Sequence, residues 1–338
     1  MIGAGSFGTT IANLLSYNRD VVLYTRQADL ATQINEEHRH FDLKLKDSLR
    51  ATTDMEELAG SCDLIFPIVP SNAFRQTIQS ISPYLRPYHI LIHGTKGFDL
   101  TDVDETQLRE AVITRKNVHT MSEVILQESS VVRIGCLSGP NLSSEIMAGQ
   151  PTATVIGSKF SEVIKKGRKA LDSRQFHVFG THDILGAELA GALKNAIAIG
   201  SGILGGLEMG KNIQAMLITR GLMEMIYFGK ALGAKSSAFV GTAGIGDLVA
   251  TATSKQSRNY TFGVRLAKGE TMEDVSKTMP ELAEGVRTIA IMQKLAKDYK
   301  LHVPITQMLY NVIFEGFEIE RAIGYLMKYP YSVDVDFL

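Results

Sequence analysis

With 338 residues the chain exceeds what one hydrophobic core usually supports, so two domains are expected. Hydrophobic residues make up 45% and charged residues 21%, which is the balance of a globular protein and excludes a disordered or fibrous one. A formal net charge of −1 argues against a nucleic-acid binder, and two distant cysteines, Cys62 and Cys136, exclude a disulfide framework and point to the reducing cytoplasm.

The chain opens on Gly3-Ala4-Gly5-Ser6-Phe7-Gly8, followed by Thr9-Thr10-Ile11-Ala12-Asn13-Leu14-Leu15. Glycines at this spacing allow a tight turn and close backbone approach, and the N-terminus of the helix that follows can hold a pyrophosphate. A plain turn is the alternative. The next strand, residues 21–25, arrives at the distance a βαβ unit needs, which favours a dinucleotide site. Only Met1-Ile2 precede the loop, so the first strand is either very short or entered part-way.

Strand 21–25 ends on Thr25-Arg26, where an acid would hold the ribose hydroxyls of NAD. Arg26 can instead pair with a 2′-phosphate or stack on adenine, so NAD or NADP is expected, with a leaning to NADPH; the plainer alternative is a solvated arginine. Near-continuous apolar runs at 63–69 and 89–93 read as further strands, with others at 133–137, 152–156 and 175–179. Such runs, alternating with helices, indicate a parallel sheet covered on both faces. Gly94-Thr95-Lys96-Gly97 follows one strand and places Lys96 at the ligand edge of a doubly wound sheet.

After residue 182 helical patterns take over, at 184–199, 212–232, 272–279, 285–299 and 305–314. The expected fold is a Rossmann-like α/β domain over 1–182 followed by an all-α domain over 183–338, with 329–338 an irregular tail. The apolar stretch 185–207 has the length of a membrane span. Glu188, Lys194, Asn195 and six glycines make insertion costly, so it reads as a core helix.

Lys194 stands in that helix among alanines, glycines and leucines. Desolvation there lowers a lysine's pKa and makes it a usable proton donor or acceptor, unless it snorkels out or pairs with a buried acid. Gly241-Thr242-Ala243-Gly244-Ile245-Gly246-Asp247 reads as a close-approach loop delivering Asp247, with helix capping the alternative. Ser257-Arg258-Asn259 at a helix start makes a phosphate clamp, or an ordinary cap beside a solvated arginine. The eight histidines lack metal-ligand spacing, and no metal is expected.

Taken in order, these motifs resemble the bacterial-type NAD(P)-dependent glycerol-3-phosphate dehydrogenases. The resemblance runs through Gly3 to Thr9, Thr95-Lys96-Gly97, Leu137-Ser138-Gly139-Pro140, Gly191-Ala192-Leu193-Lys194-Asn195, Leu217-Ile218-Thr219-Arg220-Gly221, Gly246-Asp247, Ser257-Arg258-Asn259 and Glu284-Gly285-Val286-Arg287-Thr288. It implies reversible reduction of dihydroxyacetone phosphate to sn-glycerol 3-phosphate, a precursor of glycerophospholipids, with Lys194 as proton donor or acceptor and Lys96 and Asp247 beside it. It implies substrate contacts at Lys96, Gly139, Asn141, Lys194, Asp247, Ser257, Arg258 and Asn259. Cofactor contacts are implied at Ser6, Phe7, Arg26, Lys96, Ser143, Arg258, Leu282 and Glu284, beside the loop glycines Gly3, Gly5 and Gly8. Phe7 stands where many relatives have Trp, Asn141 and Ser143 differ from the commoner Ser/Thr and Ala, Leu282 replaces a frequent Val, and residues 38–45 lack the usual Tyr-Leu-Pro. A helical second domain is compatible with a homodimer. The rival readings are a keto-acid reductase of similar architecture and a non-catalytic dinucleotide sensor.

Overall fold

The computed structural model describes residues 1–279 and 283–328. Leu282 and the tail 329–338 therefore lie outside the described residues. By contacts the chain forms two compact units. The first joins Met1–Asp99 to Thr120–Glu188; the second joins Leu100–His119 to the chain from Leu189 onward.

The strands are β1 (Val21–Tyr24), β2 (Arg39–His40), β3 (Leu43–Lys44), β4 (Leu49–Thr52), β5 (Leu64–Ile65), β6 (Ile90–His93), β7 (Asp99–Leu100), β8 (Val118–His119), β9 (Arg133–Ser138), β10 (Thr152–Gly157) and β11 (Phe176–Thr181). The first unit's helices are α1 (Ser6–Leu15), α2 (Ala28–Glu37), α3 (Met55–Ser61), α4 (Ser71–Ile81), α5 (Met121–Glu128), α6 (Ser143–Met147) and α7 (Ser161–Leu171). β1 pairs with β4 in parallel, and a five-stranded ladder runs β11-β10-β9-β6-β5.

Residues 1–3 join the two ladders. Ile2 forms parallel bridges to Tyr24 and Pro67, its amide donates to Phe66 O at 2.9 Å, and its carbonyl accepts from the Ile68 amide at 2.8 Å. Residues 1–3 thus fill the place of the first strand, between β1 and β5. The order β4, β1, residues 1–3, β5, β6, β9 is that of a doubly wound dinucleotide fold, and it sets the glycine loop at the carboxyl edge where the order reverses.

The sheet departs from the expected parallel arrangement at one pair, since β10 runs antiparallel to β9. The intervening helix α6 has five residues. At about 1.5 Å per residue it cannot return the chain along a six-residue strand of roughly 20 Å, as a parallel crossover requires. Beneath the sheet, Ile11, Ala12 and Leu15 of α1 pack with Leu23, Ile90, Ile92, Leu137, Ile156 and Val178 in one buried cluster. Each large aliphatic side chain withdrawn there contributes about 1.5–3 kcal/mol.

The second unit is helical throughout its described residues beyond Leu189. Its helices are α8 (Ile184–Gly206), which begins in the first unit, α9 (Lys211–Ala231), α10 (Asp247–Thr253), α11 (Arg258–Ala267), α12 (Met272–Thr278), α13 (Glu284–Asp298), α14 (Pro304–Phe314) and α15 (Ile319–Lys328). By length and composition α8 could cross a membrane, yet 89% of its most apolar window is buried in the protein. It crosses α11 with backbones touching: a Cβ at Gly202 would lie 2.0 Å from Tyr260 O, and one at Gly263 2.1 Å from Ile199 O. Glu224 of α9 fastens α14 by accepting from the Ile305 and Thr306 amides and the Thr306 hydroxyl at 2.6, 3.0 and 2.7 Å. Burial pushes that carboxyl up to about 7 against the pull of these hydrogen bonds.

Candidate active site

The glycines of the loop have separate jobs. Gly3 has φ +107°, and a Cβ there would sit 2.1 Å from Ile68 O; one at Gly8 would sit 2.0 Å from Gly3 O. These two positions exclude any side chain by packing. Around Gly5 nothing lies within 4 Å of a would-be Cβ. Gly5 is also the N-cap of α1, and no side chain caps that helix. An open approach to an uncapped helix N-terminus fits a dinucleotide pyrophosphate. Ser6 is exposed at this mouth, and Phe7 is half-buried. Thr25 is buried, while Arg26 is exposed and has no side-chain partner among the described residues, a placement that suits a phosphate.

One feature of this loop carries no sequence signal. His40, on the β2–β3 hairpin, holds Ala4 O through Nε2 at 2.9 Å, and its ring lies against Phe41 with centroids 4.1 Å apart. A lone histidine in a polar stretch gives no hint of that contact.

Elsewhere in the first unit, three of the expected substrate residues converge. Lys96 Nζ donates to Gly139 O at 2.9 Å, and Gly139 takes φ +119°, a conformation that favours glycine. Two residues on, Asn141 Nδ2 donates to Thr154 Oγ1 at 3.0 Å, and Thr154 Oγ1 in turn donates to Ser138 O at 2.9 Å. Asn141 Oδ1 is buried with no partner among the described residues. A buried acceptor left open, two residues from the carbonyl that Lys96 holds, can receive a ligand hydroxyl. Ser143 opens α6 and is half-buried.

In the second unit Lys194 is 5% exposed, and its Nζ bonds Asp247 Oδ1 and, at 2.5 Å, Thr251 Oγ1. Of the alternatives for Lys194, pairing with a buried acid is the one realised. Asp247 is 1% exposed and does not cap its helix: the N-cap is Gly246, and the carboxylate faces the lysine. A π-helical turn over Thr242–Gly246 delivers Asp247. Thr251 follows Asp247 by one helical turn, which puts both on one face of α10. That spacing was the available signal for Thr251.

Ser257 caps α11 by accepting from the Tyr260 amide at 3.3 Å, and Arg258 is exposed on the first turn. Asn259 is buried and engaged at both ends. Its Nδ2 donates to Asn195 Oδ1 at 3.0 Å, and its Oδ1 accepts from the Gly285 amide at 2.9 Å, in the first turn of α13. Glu284 opens that helix. Among the described residues no group of three or more His, Cys, Asp or Glu is placed to hold a metal ion.

A nucleotide loop on a doubly wound sheet, in a chain that also buries a lysine against a carboxylate in a helical unit, marks a two-domain nicotinamide-dependent dehydrogenase. Comparison with known proteins narrows the class. The family model for the NAD-dependent glycerol-3-phosphate dehydrogenase N-terminus matches residues 1–164, and that for the C-terminus matches residues 183–324. A glycerol-3-phosphate dehydrogenase (NAD(P)+) of Acinetobacter baumannii (strain SDF) is 39% identical over 343 residues, covering 100% of this chain and 92% of the relative. One from Saccharophagus degradans is 37% identical, covering 99% and 91%. The crystal structure of glycerol-3-phosphate dehydrogenase from Coxiella burnetii superposes with a TM-score of 0.84 at 29% identity, covering 97% of each chain. The yeast enzyme, at 22% identity and a TM-score of 0.83 with 97% and 98% covered, shares the fold. The chain belongs to the NAD-dependent glycerol-3-phosphate dehydrogenase family.

Proposed function

We propose that this chain catalyses the reversible reduction of dihydroxyacetone phosphate to sn-glycerol 3-phosphate with NADH or NADPH, Lys194 serving as the proton donor. Family membership supports the reaction, and the residue assignment rests on Lys194 Nζ being buried and held on Asp247 and Thr251, a fixed proton-bearing nitrogen in place of the unpaired, desolvated lysine expected from the sequence. When bound, the reduced nicotinamide supplies hydride to the ketone carbon. Lys194 Nζ passes a proton to the ketone oxygen as it becomes an alkoxide, and returns to the ammonium form from solvent. Asp247 and Thr251 hold Nζ in place, and Asp247 offsets its charge. Lys96, with Gly139 and Asn141, binds the substrate. Ser257, Arg258 and Asn259 bind the phosphate, whose remote binding energy orients the carbonyl.

Gly3, Gly5, Ser6, Phe7, Gly8, Arg26, Ser143 and Glu284, with Leu282, serve the cofactor, and Lys96 and Arg258 contact it as well as the substrate. In this reading residues 1–182 form the cofactor domain and 183–338 the catalytic domain. The enzyme works in the cytoplasm as a homodimer without nucleic acid, and its product feeds glycerophospholipid synthesis. The test is NADH and NADPH oxidation with dihydroxyacetone phosphate, dihydroxyacetone and pyruvate. Turnover is expected with the phosphorylated ketone; none there, or equal turnover with pyruvate, would defeat the reading.

A further inference from the structure

We infer that Glu188 is a positioning residue for Lys96, acting through His93; the inference rests on the reading above that Lys96 binds the substrate. His93 closes β6, three residues before Lys96, and is 2% exposed. Its ring meets Phe74 edge-on at 5.8 Å between centroids. Nε2 lies 2.9 Å from Glu188 Oε1, whereas Nδ1 is buried with no partner among the described residues. Nε2 is therefore the nitrogen that donates to the carboxylate.

Glu188 is itself a costly group to bury, with a side chain 5% exposed. Besides His93 it accepts from the Ser122 amide at 2.8 Å and the Ser122 hydroxyl at 2.7 Å. Ser122 is the second residue of α5, so the positive end of that helix faces the carboxylate in place of a lysine or arginine. The first-unit motifs assign this assembly no role in binding the cofactor or substrate.

Its effect is directed along the chain toward Lys96. After His93, Gly94 sits flush against its neighbours: a Cβ there would lie 2.9 Å from Ile68 Cδ1 and 3.2 Å from Phe7 Cε1. Thr95 Oγ1 donates to Val69 O at 2.7 Å. Lys96 comes next, reaching Gly139 O. Three successive residues are thus tied down on different neighbours, and the charged tie is the one Glu188 supplies. Neutralising it releases the strand end that aims Lys96. Misplacement of a binding group by about 1 Å costs on the order of 100-fold.

The experiment compares Glu188→Gln, Lys96→Met and the double variant. It measures KM for dihydroxyacetone phosphate, its calorimetric Kd in the dead-end complex with NADP+, NADPH affinity by fluorescence, and Tm. Glu188→Gln should weaken dihydroxyacetone phosphate roughly 10- to 100-fold, should change NADPH affinity no more than Lys96→Met does, and should add nothing in the Lys96→Met background. An equal loss in both backgrounds, or a lower Tm with substrate affinity intact, overturns the proposal. Wild-type affinity in Lys96→Met alone overturns the role of Lys96 and the proposal with it. Should Glu188→Gln fail to fold, His93→Phe replaces it and is expected to show the same loss, whereas His93→Gln, which keeps a donor, should recover most of the affinity. Wild-type affinity in His93→Phe refutes the link.

Discussion

Replacing Asp247 by Leu isolates the chemistry of the buried pair. Lys194 and Asp247 have side chains 6% and 1% exposed, so neither charge can turn to bulk water when its partner is removed. Breaking such a pair costs about 3–5 kcal/mol, whereas replacing both partners by apolar residues of similar size is close to neutral. Asp247→Leu and Lys194→Met should each destabilise by roughly that amount, lowering Tm by roughly 10 °C. The double variant should recover most of the loss, retaining only about 1 kcal/mol of it, which gives a coupling energy of about 5–9 kcal/mol in urea titrations. Activity should not recover with it. Lys194→Met and the double variant should both lose roughly 100- to 10,000-fold in kcat, the worth of a positioned proton donor, while binding NADPH as the wild type does. Additive stabilities would show that the pair is not energetically coupled. Near wild-type kcat in Lys194→Met would refute its role as proton donor.

The two loop glycines should respond oppositely to alanine. Gly5→Ala has open space for its Cβ, so it should fold with wild-type Tm and lose dinucleotide affinity by fluorescence titration; Gly8→Ala, whose Cβ would lie 2.0 Å from Gly3 O, should lower Tm. Arg26→Ala should raise KM for NADPH more than KM for NADH, by about tenfold if the guanidinium holds a 2′-phosphate, and equal effects on both would remove it from cofactor selection. Glu224 gives a pH signature. Its folded pKa is raised from 4.5 to about 7, so its contribution to stability is full below 4.5 and is lost as pH rises through 7. Against Glu224→Gln, the wild type should lose roughly 3 kcal/mol of relative stability across that window in pH-dependent urea melts, and a flat difference would show no raised pKa.

The doubly wound first unit is legible because its inner strands are near-continuous apolar runs, buried over most of their length. β4 escapes such reading. Leu49-Arg50-Ala51-Thr52 alternates weakly at an edge, and its identity comes from pairing with β1 rather than from its own pattern. The β2–β3 hairpin is two residues per strand, below the length at which periodicity carries information. Helix α15 is also missed, although its apolar face is strongly one-sided, because it follows a loop with no clear start signal. In the candidate site, Lys194 stands out as a charge among small apolar residues, and Gly3, Gly5 and Gly8 by spacing. Asn195, Thr154 and His40 do not stand out. Their partners lie 64, 13 and 36 residues away, and polar residues of these kinds are ordinary in either helices or loops.

The segment Leu100–His119 belongs by contacts to the second unit although it is made with the first. Its anchors come late. Glu105 awaits Arg287, which holds it by donating from Nε and Nη2 at 2.8 and 2.7 Å and lies 182 residues further along the chain. Arg109 awaits Lys294, which donates to its carbonyl at 2.7 Å. At about 5–20 residues per second, ribosomal synthesis leaves this segment without those partners for roughly ten to forty seconds. During that interval Ile113 and Val118, both buried in the finished protein, have no core of their own to enter. Neither unit corresponds to one uninterrupted stretch of translation, so a chain stopped after residue 182 would carry a strap with nothing to fasten to.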